Sequence, residues 1–207
     1  MQQTSNLRVA GIVLAGGLSS RMGRPKAWLP FGPETLLQRV VRIVGEVVGP
    51  VVVVAATNQD LPSLPPEVRV VRDEREAQGP LEGLRVGLRS LVGFADAAYA
   101  TSCDVPFLTP QFVRAIIGRL GDHDVVVPVE MEGERVFHHP LAAAYRVSLT
   151  PRLDALIESG RLRPVFLYEE SRTLRVPVDE LRSVDPRLDA LRNLNHPADY
   201  EQALADF

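Results

Sequence analysis

The chain has 207 residues, 45% of them apolar and 24% charged, a composition typical of a globular protein with a buried core. Its formal net charge of −3 at pH 7 argues against nucleic acid as a partner, because nonspecific binding of nucleic acid needs a basic surface. The single cysteine, Cys103, excludes an internal disulfide. Residues 1–8 lack the apolar stretch typical of a signal peptide, and no apolar run reaches the roughly 20 residues that span a membrane.

The first element is an apolar run that stops abruptly at glycines. Val9–Leu14 is short and rich in branched residues, which predicts a strand covered on both faces, as in a parallel sheet. Residues 15–26 then combine three glycines with cations that include Arg21 and Lys26. Glycines let backbone N–H groups approach a phosphate, and the two side chains offer a planar fork and a point charge. The stretch is therefore typical of a loop that holds a polyphosphate.

Two familiar phosphate-binding loops do not fit this stretch. A P-loop requires Gly-Lys followed by Ser or Thr, whereas Gly23 is followed by Arg24 and Pro25. A dinucleotide-binding turn requires the spacing GxGxxG, whereas Gly16 and Gly17 are adjacent. A nucleotide loop of another kind is therefore indicated.

Strand-like and helix-like segments alternate along the rest of the chain. The predicted later strands are 51–56, 68–71, 97–101, 124–129, 141–145 and 172–178. The predicted helices are 34–48, 81–91, 109–120, 150–159 and 197–207. This alternation predicts an α/β protein: a three-layer α/β/α sandwich with a mostly parallel, twisted sheet and right-handed crossovers. We expect one domain over residues 1–207, cytoplasmic, and a monomer or weak oligomer.

Several polar residues follow predicted strands. The loop after the first strand, Asp73 and Asp104 all come directly after such strands. Ligands of open α/β sheets bind outside the carboxyl ends of the strands. We therefore expect these residues to share one edge of the sheet.

The loop and its flanks read Leu14-Ala15-Gly16-Gly17-x-Ser19-x-Arg21-Met22-Gly23-x-x-Lys26. This pattern resembles the signature of the nucleotidyltransferases of the molybdenum-cofactor branch, most closely the molybdenum cofactor guanylyltransferase family. Three further stretches fit that family in order: Asp73 followed by Gly79-Pro80-Leu81-x-Gly83, Asp104-x-Pro106, and Asn193-x-Asn195-x-Pro197 with Asp199. The resemblance spans most of the chain and implies a Rossmann-like fold of the nucleotide-diphospho-sugar transferase type.

The resemblance also implies site residues. Nucleotide contacts are expected from Leu14, Ala15, Gly16, Gly17, Lys26, Asp73, Gly79, Asp104, Asn193 and Asn195. Catalytic roles fall on Lys26 and Arg21, which would bind phosphate and the departing pyrophosphate, and on Asp104, the expected Mg²⁺ ligand. One carboxylate is chemically sufficient, because Mg²⁺ commonly keeps waters and substrate phosphate oxygens. The two asparagines would help hold the metal site or the second substrate.

Other residues are assigned less directly. His138-His139-Pro140 lies where the family binds the pterin, so the pair is a candidate substrate contact, and zinc is not expected because no Cys/His cluster accompanies it. The family often places a base-contacting Asn near the end of the second strand, where residues 53–57 are largely apolar. Asn58, slightly further on, is the candidate to take its place. We expect no nucleophilic role for Cys103.

The implied reaction is transfer of GMP from Mg²⁺-GTP to the phosphate of the molybdenum-bearing pterin, with release of pyrophosphate. GTP and molybdenum-molybdopterin are the expected ligands, with molybdenum-insertion and molybdoenzyme proteins as candidate partners. Two alternatives stay open: a related transferase acting on CTP or another phosphate acceptor, and a non-catalytic protein that binds nucleotide or pterin. The adjacent glycines Gly16 and Gly17 favour the guanylyl enzyme.

Overall fold

The computed structural model describes residues 7–16, 24–73, 79–133 and 135–207. Within these ranges the strands are β1 Val9–Leu14, β2 Pro30–Phe31, β3 Glu34–Thr35, β4 Val51–Ala56, β5 Arg69–Asp73, β6 Ala97–Ser102, β7 Val125–Glu132, β8 Arg135–His138, β9 Ala142–Arg146 and β10 Thr173–Pro177. The α-helices are α1 Leu36–Gly45, α2 Pro80–Ser90, α3 Pro110–Ile117, α4 Thr150–Glu158, α5 Pro164–Glu169 and α6 Pro197–Ala205. No helix of this described part is long and apolar enough to cross a membrane.

The main sheet is mixed but mostly parallel. Its strand order is β10-β7-β9-β6-β1-β4-β5, and β8 pairs with β7. β1 lies at the centre and is parallel to both β4 and β6, while β5 is parallel to β4 and β10 to β7. β9 runs antiparallel to both of its neighbours, and β8 runs antiparallel to β7. The predicted α/β fold with a mostly parallel sheet is confirmed.

Helices cover both faces of the sheet. Along β1, Val13 packs with α1 and α3 on one face, whereas Ile12 and Leu14 pack with α2, α4 and α5 on the other. All three side chains are buried, as expected for a central strand between two helical layers. The predicted three layers are therefore present, and the helices hold the strand ends at fixed positions.

Local hydrogen bonds decide where several helices begin. Thr35 and Gln38 form a reciprocal cap, so α1 begins at Leu36 rather than at residue 34. Thr109 accepts from Phe112 N at 3.2 Å, which confirms it as the cap of α3. Thr150 is not a cap, because it is already the first residue of α4 and its hydroxyl donates to the carbonyl of Val147.

The structure adds elements that the pattern of apolar residues does not predict. β2 and β3 form a two-stranded hairpin before α1, and α5 is a short helix after α4. β8 pairs antiparallel with the last residues of β7. These segments are short, and their exposed residues break the alternation on which a sequence-based prediction depends.

α2 lies unusually close to the central strand. A Cβ on Gly83 would come within 3.1 Å of the Leu14 side chain, so the absence of a side chain permits this close approach. The helix begins after Gly79, whose φ of +75° is unfavourable for residues with a side chain. The Gly79–Gly83 stretch therefore brings the start of α2 close to the end of β1.

Candidate active site

The expected site residues follow strands that end at one edge of the sheet. β1, β4, β5 and β6 are parallel, so their carboxyl ends point the same way. Ala15 and Gly16 follow β1, Asp73 ends β5, and Asp104 comes two residues after β6. The shared edge predicted from sequence is therefore present for these residues. Gly17 and Arg21 lie outside the described residues.

Asp104 is the centre of a dense polar cluster. Its residue is 8% exposed, and its Oδ1 accepts from Asn193 Nδ2 at 2.9 Å and from the Ser102 hydroxyl. Its Oδ2 lies 2.6 Å from Lys26 Nζ. The main chain is fixed as well, because Leu194 N donates to the Asp104 carbonyl at 3.0 Å. Two distant segments, together with the neighbouring Ser102, therefore position one carboxylate.

Lys26 reaches the cluster from a short 3-10 helix, Lys26–Trp28. Its ammonium contacts both Asp104 and the Asn195 carboxamide oxygen, the latter at 3.2 Å. This 3-10 helix is tied to the loop after β4, because Trp28 Nε1 donates to Asp60 O at 3.0 Å. The cation is therefore held at the carboxyl edge of the sheet, beside Asp104.

Asn193 and Asn195 are brought to the cluster by the start of α6. Asp199, in the first turn of that helix, accepts from the backbone N–H groups of Asn195 and His196 at 2.9 and 2.8 Å. These two bonds lower the pKa of Asp199, because they stabilise its charged form. The segment that carries both asparagines is thus anchored independently of any ligand.

The loop after Asp104 is held from α1. Arg39 Nε donates to the Pro106 carbonyl at 2.7 Å, and its guanidinium lies over the rings of Phe31 and Phe207, at 5.2 and 4.9 Å from their centroids. Ser102 and Arg39 were not among the sequence-predicted site residues. The Ser-x-Asp spacing at a strand end could have indicated Ser102, whereas nothing in the sequence relates Arg39 to Pro106.

The turn at the end of β1 is held by backbone hydrogen bonds. The N–H groups of Ala15 and Gly16 both donate to Val54 O, at 2.8 and 3.3 Å, and the Leu14 carbonyl accepts from Cys103 N at 3.0 Å. A Cβ on Gly16 would come within 3.3 Å of Ala56 N. The turn therefore lies directly against the end of β4.

Asp73 and Gly79 flank a part of the chain outside the described residues. The carbonyl of Asp73 accepts from the Thr57 hydroxyl at 2.9 Å, which joins β5 to the loop after β4. Gly79 precedes the first turn of α2, and the first N–H groups of a helix have no partner within the helix, which is why helix starts favour anions. Both residues lie at the site edge, though not in the Asp104 cluster.

The residues around Asp104 fit a hard divalent cation such as Mg²⁺. The Asp104 carboxylate and the Ser102 hydroxyl meet there, and the Asn195 carboxamide oxygen lies on the other side of the Lys26 ammonium. Oxygen ligands of these kinds are the ones that Mg²⁺ prefers. In the described ranges, no group of three or more His, Cys, Asp or Glu residues could hold a metal. This donor set suits a cation shared with substrate phosphates rather than an all-protein metal cage.

The histidine pair lies before β9, near the carboxyl end of β6. Ala142 of β9 pairs with Thr101 of β6, so residues 139–141 border the end of β6 that leads to Asp104. Burial lowers the pKa of both His138 and His139. Arg175 donates to His138 Nε2 at 3.3 Å, and Glu130 lies 3.9 Å from His139 Nε2. The pair is therefore mostly neutral near pH 7, and its contacts lie with Arg175, Tyr168 and Glu130 on the antiparallel side of the sheet.

Cys103 is not arranged as a nucleophile. It is 4% exposed, and burial, followed by the negative charge of Asp104, raises the pKa of its thiol to about 12. The thiol is therefore protonated at neutral pH and serves as a small core residue.

Comparison with known proteins identifies the family. Residues 11–174 match the family model described as "MobA-like NTP transferase domain". A relative from Mycobacterium tuberculosis, named a probable molybdenum cofactor guanylyltransferase, is 38% identical over 177 residues, which cover 84% of this chain and 86% of the relative. A relative of the same name from Mycobacterium ulcerans is 38% identical over 183 residues, or 86% and 88% of the two chains.

A solved structure shares the fold. Molybdopterin-guanine dinucleotide biosynthesis protein A from Archaeoglobus fulgidus superposes with a TM-score of 0.75 at 21% identity, covering 95% of this chain and 97% of that one. The family that the glycine-rich loop indicates is therefore confirmed by two independent comparisons of sequence. The chain belongs to the MobA-like NTP transferase family.

Proposed function

We propose that this protein transfers GMP from Mg²⁺-GTP to the terminal phosphate of molybdenum-molybdopterin, forming the guanine dinucleotide cofactor and releasing pyrophosphate. The observation that carries the proposal is the cluster of Lys26, Asp104, Asn193 and Asn195 at the carboxyl edge of the sheet. Family membership and the 38% identity to probable guanylyltransferases support the same reaction.

The reaction needs neutralisation of charge more than proton transfer. A phosphate monoester has a second pKa of about 6, so the attacking oxygen is already largely ionised near neutral pH. It attacks the α-phosphorus of GTP, a new P–O bond forms, and the bond to the pyrophosphate oxygen breaks. The cluster offers a cation, a carboxylate and amide groups but no evident general base, which suits this chemistry.

Each cluster residue has a distinct proposed role. Lys26 binds a phosphate oxygen and offsets the charge that develops during transfer. Asp104 would hold the Mg²⁺, and Asn193 orients that carboxylate by its 2.9 Å hydrogen bond. When bound, Mg²⁺ would neutralise phosphate charge and orient the triphosphate. Asn195, within reach of Lys26, would bind phosphate or the acceptor.

We assign binding of the nucleoside to the turn at residues 14–17 and to the start of α2. The Leu14 and Ala15 carbonyls and the backbone of Gly16 and Gly17 would contact the base, with Asp73 and Gly79 further along the same edge. We assign Arg21 to the departing pyrophosphate. These roles follow from the resemblance and from the positions of the described residues among them.

The acceptor is proposed to lie on the antiparallel side. Residues 138–140 lie near the end of β6, and burial keeps the imidazoles of His138 and His139 neutral. Neutral imidazoles can donate and accept hydrogen bonds, as the polar edge of a pterin requires. Proteins that insert molybdenum or receive the finished cofactor are candidate partners in delivery and transfer.

The reaction is tested with purified protein, Mg²⁺, molybdenum-molybdopterin and each nucleoside triphosphate in turn. Of the four nucleoside triphosphates, we expect only GTP to give pyrophosphate release and a dinucleotide product. Thermal unfolding with GTP, ATP, CTP or UTP should show the largest stabilisation with GTP, because a ligand that binds the folded state raises its stability. Release with CTP instead would identify a cytidylyltransferase, and nucleotide binding without pyrophosphate release would indicate a non-catalytic binding protein.

A further inference from the structure

The side chain of Gln59 joins the ends of two central strands. Its Nε2 donates to the Ala15 carbonyl at 2.8 Å, and its Oε1 accepts from Ala56 N at 3.1 Å. Ala15 directly follows β1, and Ala56 is the last residue of β4. One carboxamide thus bridges the proposed nucleotide turn and the neighbouring strand end.

The loop that carries Gln59 is itself held in place. Gln59 N donates to the Ala56 carbonyl at 3.2 Å, which closes a tight turn. Arg72 Nη1 donates to the carbonyls of Ala56 and Gln59 at 3.0 and 2.6 Å. The Gln59 side chain is therefore presented from a backbone that is fixed on the other side by β5.

These contacts fix the orientation of the Ala15 peptide. Its N–H donates to Val54 O at 2.8 Å, and its carbonyl accepts from Gln59, so both polar groups of this residue are engaged. A carbonyl has a second lone pair and can still accept a bond from a ligand. The hydrogen bond from Gln59 fixes the direction of the Ala15 carbonyl. That direction decides which donor of a ligand the carbonyl can accept from.

The direction of a carbonyl matters for base selection. Guanine carries adjacent donors, its N1–H and its exocyclic amino group, whereas adenine and cytosine present a ring-nitrogen lone pair at the corresponding position. A fixed carbonyl accepts from the first arrangement and repels the second. β4 itself offers only apolar side chains here, since Val53 and Val54 are buried in the two core layers.

We propose that Gln59 is a positioning residue for base selection: by holding the Ala15 carbonyl, it makes the turn after β1 selective for guanine. The inference rests on the proposed function in that guanine is taken as the preferred base. The sequence pointed to Asn58 for a carboxamide near this strand end, but the Asn58 side chain is exposed, whereas the adjacent Gln59 reaches the turn.

The test compares Gln59→Glu, Gln59→Ala and Asn58→Ala with the wild type. Glutamate has nearly the shape of glutamine but cannot donate to the Ala15 carbonyl. Titration calorimetry with the Mg²⁺ complexes of GTP, ATP and CTP gives three dissociation constants for each protein. We expect both Gln59 variants to lose about tenfold in the preference for GTP over ATP, the effect of one lost hydrogen bond, and Asn58→Ala to keep the wild-type ratio.

The outcomes separate this inference from the proposed function. The role in base selection would be overturned if the Gln59 variants bound all three nucleotides equally more weakly, or if their ratio of GTP to ATP affinity were unchanged. It would also be overturned if neither Gln59 variant folded, because the residue would then serve the fold. A wild-type protein that prefers CTP would instead contradict the proposed guanylyl transfer. A loss of preference in Asn58→Ala but not in the Gln59 variants would assign base selection to Asn58.

Discussion

Lys26 Nζ and Asp104 Oδ2 lie 2.6 Å apart, although 78 positions separate the two residues in the chain. The side chains are only 19% and 11% exposed, so the pair is shielded from solvent more than an ordinary surface ion pair. Asn193 and Asn195 add a third segment to the same contact. The cluster therefore depends on the sheet, which brings the first, middle and last parts of the chain to one edge.

Replacement of Asp104 tests the proposed metal ligand. Asp104→Asn keeps the shape but removes the charge, and we expect guanylyl transfer to fall by about 100-fold or more, because charge stabilisation supplies much of the rate. Pyrophosphate release at several Mg²⁺ concentrations is the measurement. Asp122→Asn, at an exposed position away from the cluster, is the matched control. Near-normal transfer by Asp104→Asn would show that the carboxylate is not the metal ligand.

Asn193→Asp tests the charge of the cluster without nucleotide. A second carboxylate would replace an amide that now donates to Asp104 at 2.9 Å, so like charges would face each other and lower the melting temperature. Added Mg²⁺ should restore stability in this variant far more than in the wild type, since a cation between two carboxylates favours the folded state. Asn58→Asp adds the same charge at an exposed site and should show no such rescue. Equal responses of the two variants to Mg²⁺ would contradict the placement of the metal.

The turn after β1 can be tested by adding one methyl group. Gly16→Ala places a Cβ within 3.3 Å of a backbone nitrogen that cannot move aside easily, so GTP affinity should fall about tenfold or more. Gly83→Ala places its Cβ 3.1 Å from the flexible end of Leu14 and should affect GTP affinity less. Calorimetric titration with Mg²⁺-GTP measures both. A larger effect at Gly83 would show that the start of α2, not the turn, limits nucleotide binding.

The histidine pair predicts a stability loss in mild acid. Burial lowers the pKa of His138 and His139 in the folded protein, while in the unfolded chain each titrates near 6.5. As the pH falls below about 6.5, the unfolded chain therefore binds protons that the folded protein does not, and the free energy of unfolding decreases until the folded pKa is passed. Between pH of about 7.5 and 5.5, the melting temperature of the double variant His138→Gln, His139→Gln should fall less than that of the wild type. The same acid loss in both proteins would exclude the pair as its source.

Much of the fold follows from the periodicity of the sequence. The bounds of β1 and β4 agree with the predicted runs, and the other predicted strands and helices are present with shifts of a few residues. These long apolar runs are clear because both faces of a central strand are buried. The β2–β3 hairpin, β8 and α5 are missed because their stability comes from tertiary contacts rather than from a strong local pattern.

By itself, the sequence determined the family, through residues 14–26 and the motifs downstream, and with it the identity of Asp104, Lys26, Asn193 and Asn195 as candidates. It did so because backbone approach, phosphate charge and metal ligation each demand particular residue types at fixed spacing. Only the tertiary structure decided that Ser102 supports Asp104, that Arg39 holds the loop after it, and that Gln59, not Asn58, reaches the Ala15 carbonyl. Such contacts join segments distant in the chain and depend on the direction of single side chains, which no local pattern encodes.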